Sequence, residues 1–214
     1  MLSAMKEHTA VNRKHLGDAL DHWKGSVIAS LDALLHDVHV IPMFTDKDPR
    51  TSWPEAHLRL YAKLLRVPHD HILHSHTPFR ASTRAEYIPA VRLPADSDVF
   101  LDPDNGIAPE GGGDAKHVTP SELAILLPAD SRRIVLVYQH SFRTNDYVEV
   151  SLRRVVDPLQ LRGTSAFAYN AGTVAMIFAS CCRQRLVEVH RALANMLEGT
   201  SRITEVHGAP LSAP

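Results

Sequence analysis

The chain has 214 residues, with 23 Lys and Arg against 24 Asp and Glu, for a formal net charge of −1. That length builds a full core without disulfide staples, and the balanced charge excludes a global positive field, leaving only a local patch for nucleic acid. Cys181 and Cys182 are adjacent and poorly placed to pair with each other, and no apolar run reaches membrane-spanning length, so a soluble cytoplasmic protein with no membrane partner is expected.

Gly17-Asp18 precedes a helical pattern in which Leu20, Trp23, Val27, Leu31 and Leu34 recur at three- and four-residue spacing. Asp18 suits the N-cap, and Asp21 completes a capping-box-like arrangement. "VHVIPMF" (38–44) reads as a buried strand, and a second helix is predicted over 53–65 with Leu58, Tyr61, Leu64 and Leu65 on its apolar side. Residues 67–95 are rich in proline and histidine and read as irregular, with one short edge strand near 88–91. Val99 to Leu101 forms the next strand. A glycine-rich loop over 108–118 reads as flexible and leads into a helix over 121–127. "IVLVY" (134–138) is the clearest buried parallel-type strand. Residues 146–159 fit both periods, and the preceding strand-helix rhythm favours helix. Strands over 166–169 and 173–178 are joined by "NAG" as a hairpin, followed by a helix carrying Leu186, Val189, Leu193 and Leu197 and by a short strand over 203–206. The alternation predicts a single α/β domain: a three-layer α/β/α sandwich with a mostly parallel sheet and a C-terminal antiparallel hairpin.

Four constellations carry candidate chemistry. In "GDALDHWKGS", Asp21 and Lys24 stand one turn apart, as a helix-surface ion pair or as groups pointing into a site that binds a cofactor. In "FTDKDP", Asp46 follows a strand, where a carboxylate accepts hydrogen bonds from a ribose or an amine, or simply faces water. "FLDPDNG" places Asp102 and Asp104 at the end of an apolar strand, with Asn105 beside them. This is either an ordinary turn or a site at the carboxyl end of a central strand, where open α/β sheets bind ligands. Asp102 could accept from a nucleobase amine, or share a magnesium ion with Asp104. "VYQHSFR" sets Gln139, His140 and Arg143 after the next strand, with His140 as a candidate general base and Gln139 and Arg143 as substrate contacts. The histidines of "PHDHILHSH" (His69, His71, His74, His76) suit zinc or nickel by ligand type, but lack the spacing of a structural zinc site and read better as a solvated loop. There is no G-x-G-x-x-G fingerprint, no P-loop and no G-x-S-x-G elbow.

The order of these motifs resembles the bacterial large-subunit ribosomal RNA adenine-N6 methyltransferases. "GDALDHWKGSVIASL" is similar in placement to their N-terminal Asp-x-x-Lys-His-type helix. "FLDPDNG" stands where their catalytic Asp-Pro-Pro-Tyr stands, with Asp104-Asn105 in place of Pro-Tyr, and "LVYQH" matches a later Trp-Tyr-Pro strand end. The resemblance implies a Rossmann-like methyltransferase fold, S-adenosylmethionine as cofactor near Asp46, Asp21 and Lys24, and a nucleic acid or nucleotide substrate at Asp102. The residues themselves keep two alternatives open. One is a magnesium-dependent phosphoester hydrolase built on Asp102, Asp104 and His140. The other is a non-catalytic interaction module on the same fold.

Overall fold

The computed structural model describes residues 16–44, 53–73, 84–109, 111–112, 114–142 and 144–205. Helix α1 (Ala19–Ser30) starts where the Asp18 side chain accepts the backbone N–H groups of Leu20 and Asp21, at 2.8 and 3.2 Å. Asp21 reaches back to the Gly17 N–H at 2.9 Å, one residue before the position a capping box would use. Strand β1 (His39–Pro42) is buried along its whole length, and α2 (Glu55–Leu65) turns its Leu58, Tyr61, Ala62 and Leu65 face inward. Gly25 of α1 sits directly on α2. A Cβ there would come within 1.8 Å of the Leu64 carbonyl oxygen, so only glycine permits this approach.

The edge strand expected at 88–91 is instead the continuation of a short helix, α3 (Arg84–Tyr87), whose Glu86 and Ile88 carbonyls accept from Ala90 and Val91. The Tyr87 hydroxyl donates to the Pro42 carbonyl at 2.7 Å, and the Arg84 guanidinium donates to the carbonyls of Asp114 and His117 and to Glu122. Strand β2 (Val99–Asp102) runs into a turn, from which β3 (Gly106–Ile107) pairs in parallel with β4 (His117–Val118). The segment expected to be a plain loop over 108–118 therefore ends in strand pairing. Thr119 then opens α4 (Pro120–Leu126) through a full capping box with Glu122.

Strand β5 (Val135–His140) and α5 (Tyr147–Leu159) follow as the rhythm predicts. Strands β6 (Ser165–Asn170) and β7 (Val174–Ser180) form the expected hairpin, α6 (Arg183–Met196) crosses back, and β8 (Ile203–Glu205) pairs with β6. Val206 lies outside the described residues.

The sheet order is β1-β2-β5-β7-β6-β8. Its β1, β2 and β5 run parallel, while β7 is antiparallel to both β5 and β6, and β8 is antiparallel to β6. The sheet is thus mixed rather than mostly parallel. The turn at Gly172, φ +108°, reverses the chain between β6 and β7, and β7 is inserted between β5 and β6, so it runs antiparallel to both. Two apolar cores form. Val40, Phe100, Leu136, Tyr138 and Phe178 pack with residues of α1, α2 and α6, whereas Ile41, Leu101, Val137 and Ile177 pack with residues of α4 and α5. At the amino ends of the strands, Arg185 makes a two-pronged 2.9 Å contact with Asp98, whose oxygens also accept the His36 and Ile134 N–H groups. Among the described residues no helix is long and apolar enough to cross a membrane.

Candidate functional site

Side chains alternate along a strand, so the two cores report which way each residue at the strand ends points. Phe100 and Tyr138 share the core under α1 and α2, and Leu101 and Val137 share the other. Asp102 therefore projects beside Tyr138 toward α1 and α2, and Gln139 projects to the opposite side.

Asp102 ends β2 opposite Pro42 of β1 and is fully buried. Its two carboxylate oxygens each lie 2.9 Å from the Lys24 ammonium, and Oδ2 also accepts the Tyr61 hydroxyl at 2.5 Å. Lys24 further donates to Asp21 Oδ1 at 3.3 Å and stands 4.5 Å from the centre of the Tyr138 ring. Asp21, Lys24 and Asp102 are all within 6 % of complete burial. Groups so seldom buried need every partner they have.

The electrostatics follow from that crowding. Burial disfavours the charged form of Lys24, but the carboxylates of Asp102 and Asp21 outweigh it and hold the ammonium protonated beyond its ordinary range. Burial also raises the Asp21 carboxyl, against the pull of Lys24 and the Gly17 N–H. The Tyr61 hydroxyl rises well above its usual value, first through burial and then through the negative charges of Asp102 and Asp21. Tyr138 rises for the same leading reason, with Asp104 among the charges acting on it. With both carboxylates ionised, two negative charges face one positive charge.

Of the residues singled out in the sequence, the fold joins Asp21 and Lys24, three residues apart, to Asp102, 78 residues beyond Lys24, in one network. Asp104 follows at half-exposure, close enough for its charge to reach Tyr138, and His140 ends β5 exposed. Gln139 is wholly buried and is engaged with backbone. Its amide nitrogen donates to the carbonyls of Asn105 and His140, at 2.8 and 2.6 Å, and its oxygen accepts the Ile107 N–H at 2.9 Å. It clamps the turn after Asp102 to β5. Gly106, at φ +96°, leaves room for it, since a Cβ there would meet the Gln139 side chain at 2.2 Å. Asp46 and Arg143 lie outside the described residues. Tyr61 was legible only as one apolar position of a helix, whereas Tyr138, the first polar residue of "YQHSFR", stands beside the Asp102 network as its place after a neighbouring strand suggests.

The arrangement accepts hydrogen bonds from a positively polarised group better than it binds an anion. Magnesium would have to displace the Lys24 ammonium from both oxygens of Asp102, and an incoming amine would likewise have to reach a fully buried carboxylate already held by Lys24 and Tyr61. For S-adenosylmethionine, the described residues offer no cradle. Phe44 leaves β1 stacked on Trp53, with ring centres 3.9 Å apart and both residues buried, and no glycine stands at that exit for a ligand to approach the backbone. Of the two residues expected beside the cofactor, Lys24 is committed to Asp102, and Asp21 to Lys24 and the Gly17 N–H. Compared with family models, with curated proteins and with solved structures, the chain matches none.

Proposed function

We propose that this protein is methyltransferase-like and acts on nucleic acid or a nucleotide, receiving the amino group of a base at Asp102. The observation that carries this reading is the buried Asp102–Lys24–Asp21 network at the carboxyl end of a parallel strand. Buried ion pairs are weak contributors to stability, because desolvation cancels much of their attraction. A buried cluster of ionisable groups placed where α/β sheets bind ligands has the features of a functional site.

The fold reading is a three-layer α/β/α arrangement of methyltransferase type. Its support is the core on each side of the sheet and the reversed strand that follows the parallel run. Within it, Asp102 accepts a hydrogen bond from the substrate amine, Tyr61 and Lys24 fix the carboxylate, and Gln139 holds the turn that carries Asp104 and Asn105. The described residues fit the substrate side of such a protein and not the cofactor side. The assignment of Asp46 to S-adenosylmethionine rests on the sequence resemblance alone, and no step is derived through that cofactor. Two intermediate-exposure free thiols, Cys181 and Cys182, accord with a cytoplasmic setting.

The test is calorimetric titration with adenine- and cytosine-containing single-stranded oligonucleotides, with and without S-adenosylmethionine, on wild type and Asp102→Asn. Binding by the wild type that weakens at least tenfold in the variant is the expected result. A wild type that binds none of these ligands refutes the reading, as does an Asp102→Asn protein that binds them equally well.

A further inference from the structure

At the other end of β1, about 10 Å along the strand from the Asp102 centre, three ligating side chains meet. Asp37, His39 and His71 each place a donor atom within 4.8 Å of the other two. His71 Nε2 is 3.5 Å from one Asp37 carboxylate oxygen; the other lies 4.0 Å from His39 Nδ1, the nitrogen that also faces the Asp37 carbonyl, so His39 must turn its ring to present Nε2. The segment carrying His71 is tied to β1 by a bridge between Val40 and Ile72 and by the Leu73 N–H donating to the Val40 carbonyl at 2.8 Å. Asp37 adopts a left-handed conformation, φ +47°, which Asp tolerates better than most residues.

The tautomers are fixed by the neighbours. His39 Nδ1 lies 2.8 Å from the Asp37 carbonyl and His71 Nδ1 lies 3.1 Å from the Val38 carbonyl. A carbonyl only accepts, so each Nδ1 carries the proton and each Nε2 keeps its lone pair. Histidines that bind metal are typically held this way, with the second ring nitrogen donating to a carbonyl or carboxylate. The two rings are stacked, centroids 4.3 Å apart and 6° from parallel, so loading requires them to tilt until the Nε2 atoms converge. His39 is buried, and the room for that movement lies on the side of His71, 16 % exposed, and of the exposed Asp37.

We infer that Asp37, His39 and His71 bind a divalent transition-metal ion, zinc by donor type, at the amino end of β1. Two imidazoles and one carboxylate form a three-ligand set that leaves a coordination position for water. The ion joins the segment after α2 to the first strand. The histidine run supplies His71 alone to this set: His69 sits 3.3 Å from Glu55, and His74 and His76 lie outside the described residues.

The experiment titrates the full chain with Zn²⁺ against a chromophoric chelator, and with Co²⁺ read by its visible absorption. One ion per chain is expected. His71→Gln and Asp37→Asn should each weaken binding at least about tenfold, the lower end of what losing even an orienting partner costs. The double variant His74→Gln/His76→Gln should bind as wild type does. Circular dichroism checks folding, and if His71→Gln is unfolded the exposed Asp37→Asn decides. A wild type that binds no ion overturns the inference, as does loss of binding only in the His74/His76 variant.

Discussion

Replacing Lys24 by Met keeps all but the last atom of the side chain's length and removes the cation that, among the described residues, touches the Asp102 carboxylate. Both oxygens of Asp102 then lose a 2.9 Å partner, and Asp21 loses its 3.3 Å contact, at positions with almost no access to water. Removing one member of a buried pair costs about 3–5 kcal/mol, because the remaining charge stays desolvated. Tyr61 still donates to Oδ2, which places the expected loss toward the lower figure, about 3 kcal/mol. Urea denaturation measures it as a fall in midpoint at unchanged slope. The double variant Lys24→Met/Asp102→Leu removes that pair and should recover part of the loss, since apolar replacement of a whole buried pair is often neutral, while Asp21 stays without Lys24 and the Tyr61 hydroxyl without its acceptor. A Lys24→Met protein within 1 kcal/mol of wild type, or a double variant as unstable as the single, refutes the geometry described for this network.

High pH should destabilise the fold steeply. Lys24, Tyr61, Tyr87 and Tyr138 are all raised in the folded state, so the unfolded chain releases their protons first; their stabilisation is complete below about pH 10 and is lost above it, at about 1.4 kcal/mol per pH unit for each group. Denaturant midpoints that stay flat from pH 9.5 to 11 count against this burial. Gly25→Ala should cost about 3 kcal/mol or more by forcing α1 off the Leu64 carbonyl, seen as a lowered Tm; an unchanged Tm places the helices further apart than described. Gln139→Leu leaves the buried Ile107 N–H without its acceptor and should cost about 1–3 kcal/mol, with faster hydrogen exchange at Ile107 than at Leu136 as its local sign.

The parts of the fold legible in the sequence were those dictated by local pattern. The apolar period of 17–34, the run "IVLVY" and the "NAG" turn each specify their element without help from distant residues, and each formed. The exceptions depend on long-range contacts. The short strand β4 exists because Asn105 donates to the Lys116 carbonyl and Ala108 to that of Val118, which no periodicity encodes. Residues 88–91 form hydrogen-bonded turns carried on from α3, whose Tyr87 hydroxyl donates to the Pro42 carbonyl, 45 residues away.

The same distinction explains the candidate site. A carboxylate at a strand end is visible in "FLDPDNG" because turn residues announce where the strand stops. Its partner was visible only as a helical Lys three residues after an Asp, a spacing that by itself describes an exposed ion pair worth tenths of a kcal/mol. What converts that pair into a buried network is the close approach of α1 to α2 at Gly25, one residue from Lys24, which brings Tyr61 to the same carboxylate. Gln139 shows the reverse. Its neighbours Tyr138 and His140 make it look like a member of the site, yet the two-residue period of the strand sends it to the other face, where it binds backbone. Strand parity is readable in sequence once the inward face of "IVLVY" is known. Both faces of β5 are buried, however, so that stretch carries no alternation from which to read it.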